Sequence, residues 1–341
     1  MSPADERIPP PEAPDAPPAV TAIVVSYNSA RDLPACLRSL EAQEGLALRI
    51  RLVDNASRDG SAALARREFP GVVLTENAEN VGFGRAVNQV LETEPAAFYA
   101  LVNPDTILPP RAVATCVAAL RADESVGVAA TRLVGADGAT QPSCQAFLGL
   151  RNLFAETLGL HRLLPSIRSL ASLQMTWFAY DRALDVDWIQ GAFLVVRGSI
   201  VRTVGGFDPA FFMYGEEMDW CRRIRDAGHR IRFLPEPPVV HVGAASTAPI
   251  AEPMFVENLK GRIRYLRKHH GPRVALAGRG LIAVAVLLRF AWREAAALTA
   301  PAPRRSAART ERAMFRAALA WVLRGLPLTP PEIGARSSPP T

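Results

Sequence analysis

Ile50-Arg51-Leu52-Val53-Asp54-Asn55-Ala56-Ser57-Arg58-Asp59-Gly60 decides the fold: a short apolar run stops at a carboxylate and an amide, and a helical pattern follows. Ser57 and Asp59 are residue types that cap such a helix. The same unit recurs on either side. Upstream, Ala22-Ile23-Val24-Val25 precedes a helix whose apolar residues Leu33, Cys36, Leu37 and Leu40 fall at helical spacing. Downstream, Val72-Val73-Leu74 ends at Glu76-Asn77, and Phe98-Tyr99-Ala100-Leu101-Val102 ends at Asn103-Pro104-Asp105. Short apolar runs alternating with helices predict an α/β, Rossmann-like fold, a mainly parallel central sheet flanked by helices on both faces. Each polar cluster then sits at the C-terminal edge of a strand, where open α/β sheets bind ligands.

Outward from this repeat, residues 145–186 read as an irregular helical insertion, a candidate cover for a second substrate, and Gly191 to Arg197 as a buried strand. Phe207 to Gly228 reads as a loop and a helix, followed by Ile231-Arg232-Phe233-Leu234 and Val239-Val240-His241. Beyond about Ala251 the strand pattern stops. The expected organisation is a disordered Pro-rich tail at 1–19, an α/β domain at 20–250, a basic helical extension at 251–328 and a disordered tail at 329–341. Seven prolines and no apolar stretch in residues 1–19 do not resemble a secretion signal, so a cytoplasmic protein is expected. Cys36, Cys116, Cys144 and Cys221 have no metal-ligand spacing and read as reduced thiols.

The net charge of +6 is unevenly spread. Between Lys260 and Arg324 fifteen Lys or Arg stand against two acids, so the rest of the chain is acidic on balance. That basic segment has no recognisable nucleic-acid module and few aromatics to stack bases, so no nucleic acid is expected. An anionic membrane surface fits it better. Within it, Val274 to Trp292 is strongly apolar, but its uninterrupted core, Gly280 to Leu288, is about 13 Å of helix against a hydrocarbon layer of about 30 Å. Arg279, Arg289 and Arg293 fall within about 80° of arc at 100° per residue. A helix lying in the membrane interface, cations toward headgroups on the inner face, is the expectation; a packing or homodimer helix and a span are the alternatives.

Several residues can carry chemistry. Asp54 can accept hydrogen bonds from a nucleobase or ribose, with Tyr27 and Asn28 lining the same place; a turn or cap is the plainer reading of Asp54 alone. Asn80-Val81-Gly82-Phe83-Gly84-Arg85-Ala86-Val87-Asn88 opens a helix with flexible backbone, two amides and a guanidinium, suited to phosphate. It is no dinucleotide fingerprint, because Val87 stands where the third glycine belongs. Asp105 offers a hard oxygen ligand for Mg²⁺ or Mn²⁺, or else a helix cap. His241 can be a second ligand, or a core histidine. In Gly215-Glu216-Glu217-Met218-Asp219-Trp220, Asp219 has Arg222 and Arg223 at surface ion-pair spacing, whereas no intrahelical cation neutralises Glu217. Glu217 is therefore the candidate general base, with Asp219 its substitute.

In this order the pieces resemble the family 2 glycosyltransferases of GT-A fold, over about Val20 to Lys268. Val24-Val25-Ser26-Tyr27-Asn28 looks like the family's opening strand and loop, and Val53 to Ser61, with Asp54 and Asn55, like its nucleoside-binding turn. Asn80 to Asn88, including Gly82, Gly84, Arg85 and Asn88, matches its donor-side element. Asn103-Pro104-Asp105 stands where the family has its metal-binding triplet, with Asn103 in place of the first acid. Gly205-Gly206-Phe207-Asp208 and Phe212 to Asp219 resemble its acceptor loop and acidic motif, whose second acid, the base, is Glu217 here. His241 matches the late histidine that touches metal or diphosphate. The resemblance implies an inverting single displacement with Mg²⁺ or Mn²⁺. It also implies a nucleotide-sugar donor, dTDP-rhamnose first and UDP-hexoses next, and a glycan or lipid-linked glycan acceptor of envelope polysaccharide assembly. Two rivals stand beside it. A noncatalytic carbohydrate-binding protein has no need of both metal ligand and base, and a sugar nucleotidyltransferase would carry a glycine-rich loop that Ser26-Tyr27-Asn28-Ser29-Ala30 lacks.

Overall fold

The computed structural model describes residues 19–164, 167, 173–243, 251–299 and 315–321. The tail expected at 329–341 and nearly all of that at 1–19 lie outside the described residues. The chain opens with β1 (Ala19–Ser26), α1 (Leu33–Glu41), β2 (Ala47–Asp54), α2 (Ser61–Glu68), β3 (Val73–Glu76), α3 (Phe83–Thr93) and β4 (Phe98–Val102). These four strands are mutually parallel, in the order β3-β2-β1-β4. Their residues alternate between the two faces of the sheet, and both faces are covered. Leu33, Cys36, Leu37 and Leu40 of α1 pack on one side with Ala22, Val24 and Leu52. Val87, Val90 and Leu91 of α3 pack on the other with Ile23, Val53 and Leu101. Burial on both faces is why these strands read as unbroken apolar runs.

Next come β5 (Thr106–Ile107), α4 (Ala112–Ala122), β6 (Val126–Val134), β7 (Thr140–Gln141), β8 (Cys144–Gln145), α5 (Leu150–Thr157), α6 (Leu160–Leu163), β9 (Leu184–Val186), β10 (Trp188–Ile189), β11 (Phe193–Arg197) and α7 (Gly198–Val204). After them are α8 (Glu216–Asp226), β12 (Arg230–His241), α9 (Ala251–His270) and α10 (Pro272–Thr299). β11 enters the sheet antiparallel between β4 and β6, and β12 lies parallel to β6. The result is a mostly parallel mixed sheet with helices on both faces and further helices at the C-terminal end. The two runs read at 231–234 and 239–241 are one strand, whose register against β6 slips between Leu234 and Val239. Three prolines fall in that interval, and a residue without an N–H cannot hold a regular ladder. All four cysteines are buried free thiols.

α9 begins where the strand pattern stops, yet packing runs across that boundary. Leu259, Ile263, Tyr265 and Leu266 of α9 join Phe211 and Met218 of the domain and Ala275, Ile282 and Val286 of α10 in one apolar cluster. Gly261 lets α9 approach the backbone before α8: a Cβ there would stand 2.1 Å from the Tyr214 carbonyl oxygen.

Candidate active site

The register brings the sequence-predicted edge together. Ser26 pairs with Asp54 and Asp54 with Glu76, while Val24 lies opposite Val102, the residue before Asn103. Asp54 on β2 and Asn103 after β4 are two strands apart, about 10 Å at the usual strand spacing. Asp54 is 2% exposed. Its Oδ2 accepts from the Ser57 N–H at 2.8 Å, so the turn reading holds for one oxygen. The other, Oδ1, and the buried Ser26 hydroxyl have no partner among the described residues. Buried polar atoms are seldom left so, and a ligand's N–H or hydroxyl is the kind of group that would satisfy them. The neighbouring amides are occupied. Asn28 accepts from the Arg58 N–H, with its own N–H on Ser57 Oγ, and Asn55 accepts from Asn77 Nδ2. They shape the turn that holds Asp54, and Tyr27 is half-buried beside them.

At the far end of the edge, β5 pairs with β12, setting Thr106 opposite His241. Gln141 Nε2 donates to the His241 carbonyl at 2.8 Å, which turns its Oε1 to the ring Nδ1 at 2.9 Å. With Gln141 so oriented, Nδ1 is the hydrogen donor, and Nε2 faces Asp105 Oδ1 3.4 Å away, lone pair to lone pair unless the ring is charged. Two lone-pair atoms so placed repel unless a proton or a cation lies with them. A carboxylate oxygen and an imidazole nitrogen fit Mn²⁺ well and Mg²⁺ acceptably. No group of three or more His, Cys, Asp or Glu able to hold a metal occurs among the described residues, so further ligands would come from a substrate phosphate and water. The capping alternative for Asp105 does not occur: α4 starts at Ala112 with no side-chain cap.

Glu217 shares a cavity with Asn103 and His241. Tyr214 and Gly215 both take positive φ, 67° and 96°, and this tight turn starts α8. Glu217 then faces a cavity of about 370 Å³ whose lining includes Asn103, Trp188, Gln190, His241, Asn258 and Arg262. Gly191 lies against it; a Cβ at Gly191 would be 2.6 Å from Glu217 Oε1. Burial raises the proton affinity of Glu217, partly offset by hydrogen bonds from the Glu217 and Gly191 amides. Glu216 is raised further, by burial and then by the Glu217 charge, and its Oε2 has no partner among the described residues. Burial thus makes both carboxylates more basic than usual, Glu216 the more strongly.

The "Glycosyl transferase family 2" profile matches residues 21–168, which hold the parallel strands and Asp54, Asn103 and Asp105. Residues 21–168 form a glycosyl transferase family 2 domain. The chain is 27% identical over 250 residues to an N-acetylglucosaminyl-diphospho-decaprenol L-rhamnosyltransferase of Mycobacterium tuberculosis, an alignment covering 66% of this chain and 76% of the relative. It is 36% identical over 83 residues to the rhamnosyltransferase WbbL of Escherichia coli, 24% of this chain and 31% of that one. Among solved structures, the mannosyltransferase PcManGT of Pyrobaculum calidifontis, in complex with GDP-Man and Mn²⁺, superposes with a TM-score of 0.53 at 19% identity, covering 91% of this chain and 88% of that one. The fold is GT-A, and the chain carries a family 2 glycosyltransferase domain that is similar in sequence to rhamnosyltransferases.

Two groups of site residues in this glycosyltransferase sit differently from the expectation. Asp219 is not a surface partner: it is 0% exposed and absent from the cavity lining, facing α9 instead. Burial alone would raise its pKa, but His269 Nε2 and Lys268 Nζ at 2.8 Å and Arg223 Nε at 2.9 Å outweigh burial and hold it at about 2. Helical spacing named Arg223 and could not reveal Lys268 or His269, fifty residues on. The Asn80–Asn88 element, in turn, directs Arg85 and Asn88 to the 206–212 loop, while Asn80 closes on its own turn. Asn80 Oδ1 accepts from the Gly82 N–H, Arg85 Nε donates to the Pro209 carbonyl, and Asn88 clamps both the N–H and the C=O of Phe207. Gly82 at φ 89° and Gly84 admit Phe212 and Phe207, since a Cβ would stand 2.5 Å from the Phe212 carbonyl oxygen and 2.9 Å from Phe207 Cβ. Gln141, Gly191 and the amides of the cavity wall were not legible as site residues, because no motif marks them.

Proposed function

We propose that this chain is an inverting, metal-dependent glycosyltransferase that moves a sugar, rhamnose first among candidates, from a nucleoside diphosphate to a hydroxyl of a lipid-linked or envelope glycan at the cytoplasmic side of the membrane. The observation that carries the proposal is that Glu217, made more basic by burial, shares one cavity with His241, whose Nε2 faces Asp105. The rhamnose donor and lipid-linked acceptor follow the activity named for the mycobacterial relative, and the metal follows the Mn²⁺ in the PcManGT complex.

In this reading Asp54 Oδ1 and Ser26 hold the nucleoside, and Asn103 lies beside the diphosphate. Glu217 takes the proton of the acceptor hydroxyl as that oxygen bonds to the anomeric carbon; the bond to the diphosphate oxygen breaks on the opposite face, and the electron pair leaves with the diphosphate. Mg²⁺ or Mn²⁺ held by Asp105 and His241 would offset the charge of that leaving group. The cavity wall beyond Glu217, with Gln145, Gln174, Gln190, Asn258 and Trp188, offers amides and an indole, which suit sugar hydroxyls and ring faces. The test is nucleoside diphosphate release over a panel of dTDP- and UDP-sugars, with Mn²⁺, Mg²⁺ or chelator, for wild type, Glu217→Gln and Asp105→Ala. Metal-dependent release that both substitutions abolish is expected. Full turnover by Glu217→Gln removes the base, and unchanged activity in chelator removes the metal.

A further inference from the structure

α10 departs from the sequence expectation in the direction its side chains point. Ala275, Gly278, Ile282, Ala285 and Val286 are buried and occupy about 100° of arc. Arg279 lies toward that same side: it donates from Nη2 to the Trp321 carbonyl at 2.9 Å, with its guanidinium 5.2 Å from the Trp321 ring centre. The outward arc, about 120° wide, is Leu276, Ala277, Gly280, Val284, Leu287 and Leu288, all exposed. Leu276 is 72% and Leu288 56% exposed. A helix facing only water would put polar residues there, and an exposed apolar strip of this length marks a contact surface.

We propose that the outward face of α10 docks this protein on an anionic lipid bilayer, lying in the interface rather than crossing it. Charge selects the partner. The exposed Arg267 and Arg273 stand at the N-terminal end of the strip, Arg273 on the same arc as its leucines, and no acid occurs from Pro272 to Arg293. Apolar side chains next to cations suit acyl boundary and anionic headgroups together. By length and composition Pro272–Ala291 could cross a membrane. Its inner face, however, is packed on α5 and α9; a Cβ at Gly278 would lie 2.4 Å from Leu266 and 3.5 Å from Leu153. Crossing would carry that packed domain face into hydrocarbon. α9, directly before α10, also contributes Asn258 and Arg262 to the cavity, so docking through α10 holds the cavity wall close to the lipid surface.

The test is co-sedimentation of the full chain with phosphatidylcholine vesicles, with and without phosphatidylglycerol, alongside sedimentation velocity without lipid. Wild type is expected to bind the phosphatidylglycerol vesicles, and Leu276→Gln/Leu287→Gln/Leu288→Gln to lower partitioning at least about tenfold, since those side chains no longer gain by leaving water. Arg267→Glu/Arg273→Glu, which touches no buried atom of the strip, should lower binding to the anionic vesicles and remove its salt dependence. No binding by wild type, or equal binding by both variants, overturns the proposal. So does a wild-type dimer that the Leu variant splits in the absence of vesicle binding, which would make the strip a contact between copies. The readout needs no turnover, so it fails or succeeds apart from the reaction proposed above.

Discussion

Gly191→Ala isolates the placement of Glu217 from its chemistry. The added methyl would stand 2.6 Å from Glu217 Oε1, 3.0 Å from Cγ and 3.3 Å from Cδ, whereas ordinary contact begins at 3.4 Å. The carboxylate oxygen must therefore retreat by about 0.8 Å, and the Gly191 amide loses its alignment with it. A misplacement of about 1 Å costs a reaction on the order of a hundredfold, or about 2.7 kcal/mol of activation free energy. The obstacle is the end of a flexible side chain and the φ of Gly191 is not left-handed, so the fold should tolerate the change. The expected result is kcat down roughly a hundredfold, with donor KM and melting temperature close to wild type; Gly71→Ala, where a methyl meets nothing within 4 Å, is the control. Adding Glu217→Asp withdraws the carboxylate by one methylene and should restore part of kcat. Wild-type kcat in Gly191→Ala would refute the reasoning, because the base would then not need its place beside Gly191.

Three further outcomes follow from the site. Glu216 has its proton affinity raised in the folded state, so its ionisation opposes folding: stability is lost as pH climbs from the unfolded value, about 4.3, through the raised one. Glu216→Gln should remove that slope and raise the melting temperature most at alkaline pH, and parallel Tm–pH curves would count against it. Asp219 behaves oppositely. Held at about 2, it stabilises fully above its unfolded value near 3.9 and loses this as pH falls between about 4 and 2. Asp219→Asn, which strands Lys268, His269 and Arg223, should cost about 3 kcal/mol in chemical denaturation while kcat of the folded fraction survives; a larger kcat loss than in Glu217→Gln would move the base to Asp219. Gln141→Leu frees the His241 tautomer, and calorimetric titration with a nucleoside diphosphate present should show Mn²⁺ affinity lowered roughly 10- to 100-fold. Unchanged affinity would detach His241 from the metal.

The parallel half of the sheet was legible because each strand is a short apolar run ending in a polar cluster, the imprint of burial on both faces and a ligand edge. β6 left no such imprint. Val126–Val134 is as apolar as its neighbours, but it ends at Gly135 without a polar terminus, so nothing drew attention to it. Asp54, Asp105, Glu217 and His241 stood out as candidates because each closes an apolar run or opens a helix. Their supports were not. Gln141 reaches His241 across a hundred residues, and His269 reaches Asp219 across fifty. Local spacing cannot report such contacts, which is why Asp219 read as a surface ion pair and proved to be a buried hub. The arginines of α10 illustrate the same limit: periodicity put Arg279 and Arg289 on one arc, while the partner Trp321 determined that Arg279 turns inward and Arg289, near the helix end, stays exposed.

The most direct measurement is a crystal structure with a nucleoside diphosphate and Mn²⁺, the metal located by its anomalous scattering. One manganese peak is expected, ligated by Asp105, His241 Nε2 and the diphosphate, with the nucleoside on Asp54 and Glu217 facing the open side of the cavity. Manganese bound elsewhere, or a nucleotide that leaves Asp54 and the Glu217 cavity untouched, would contradict it.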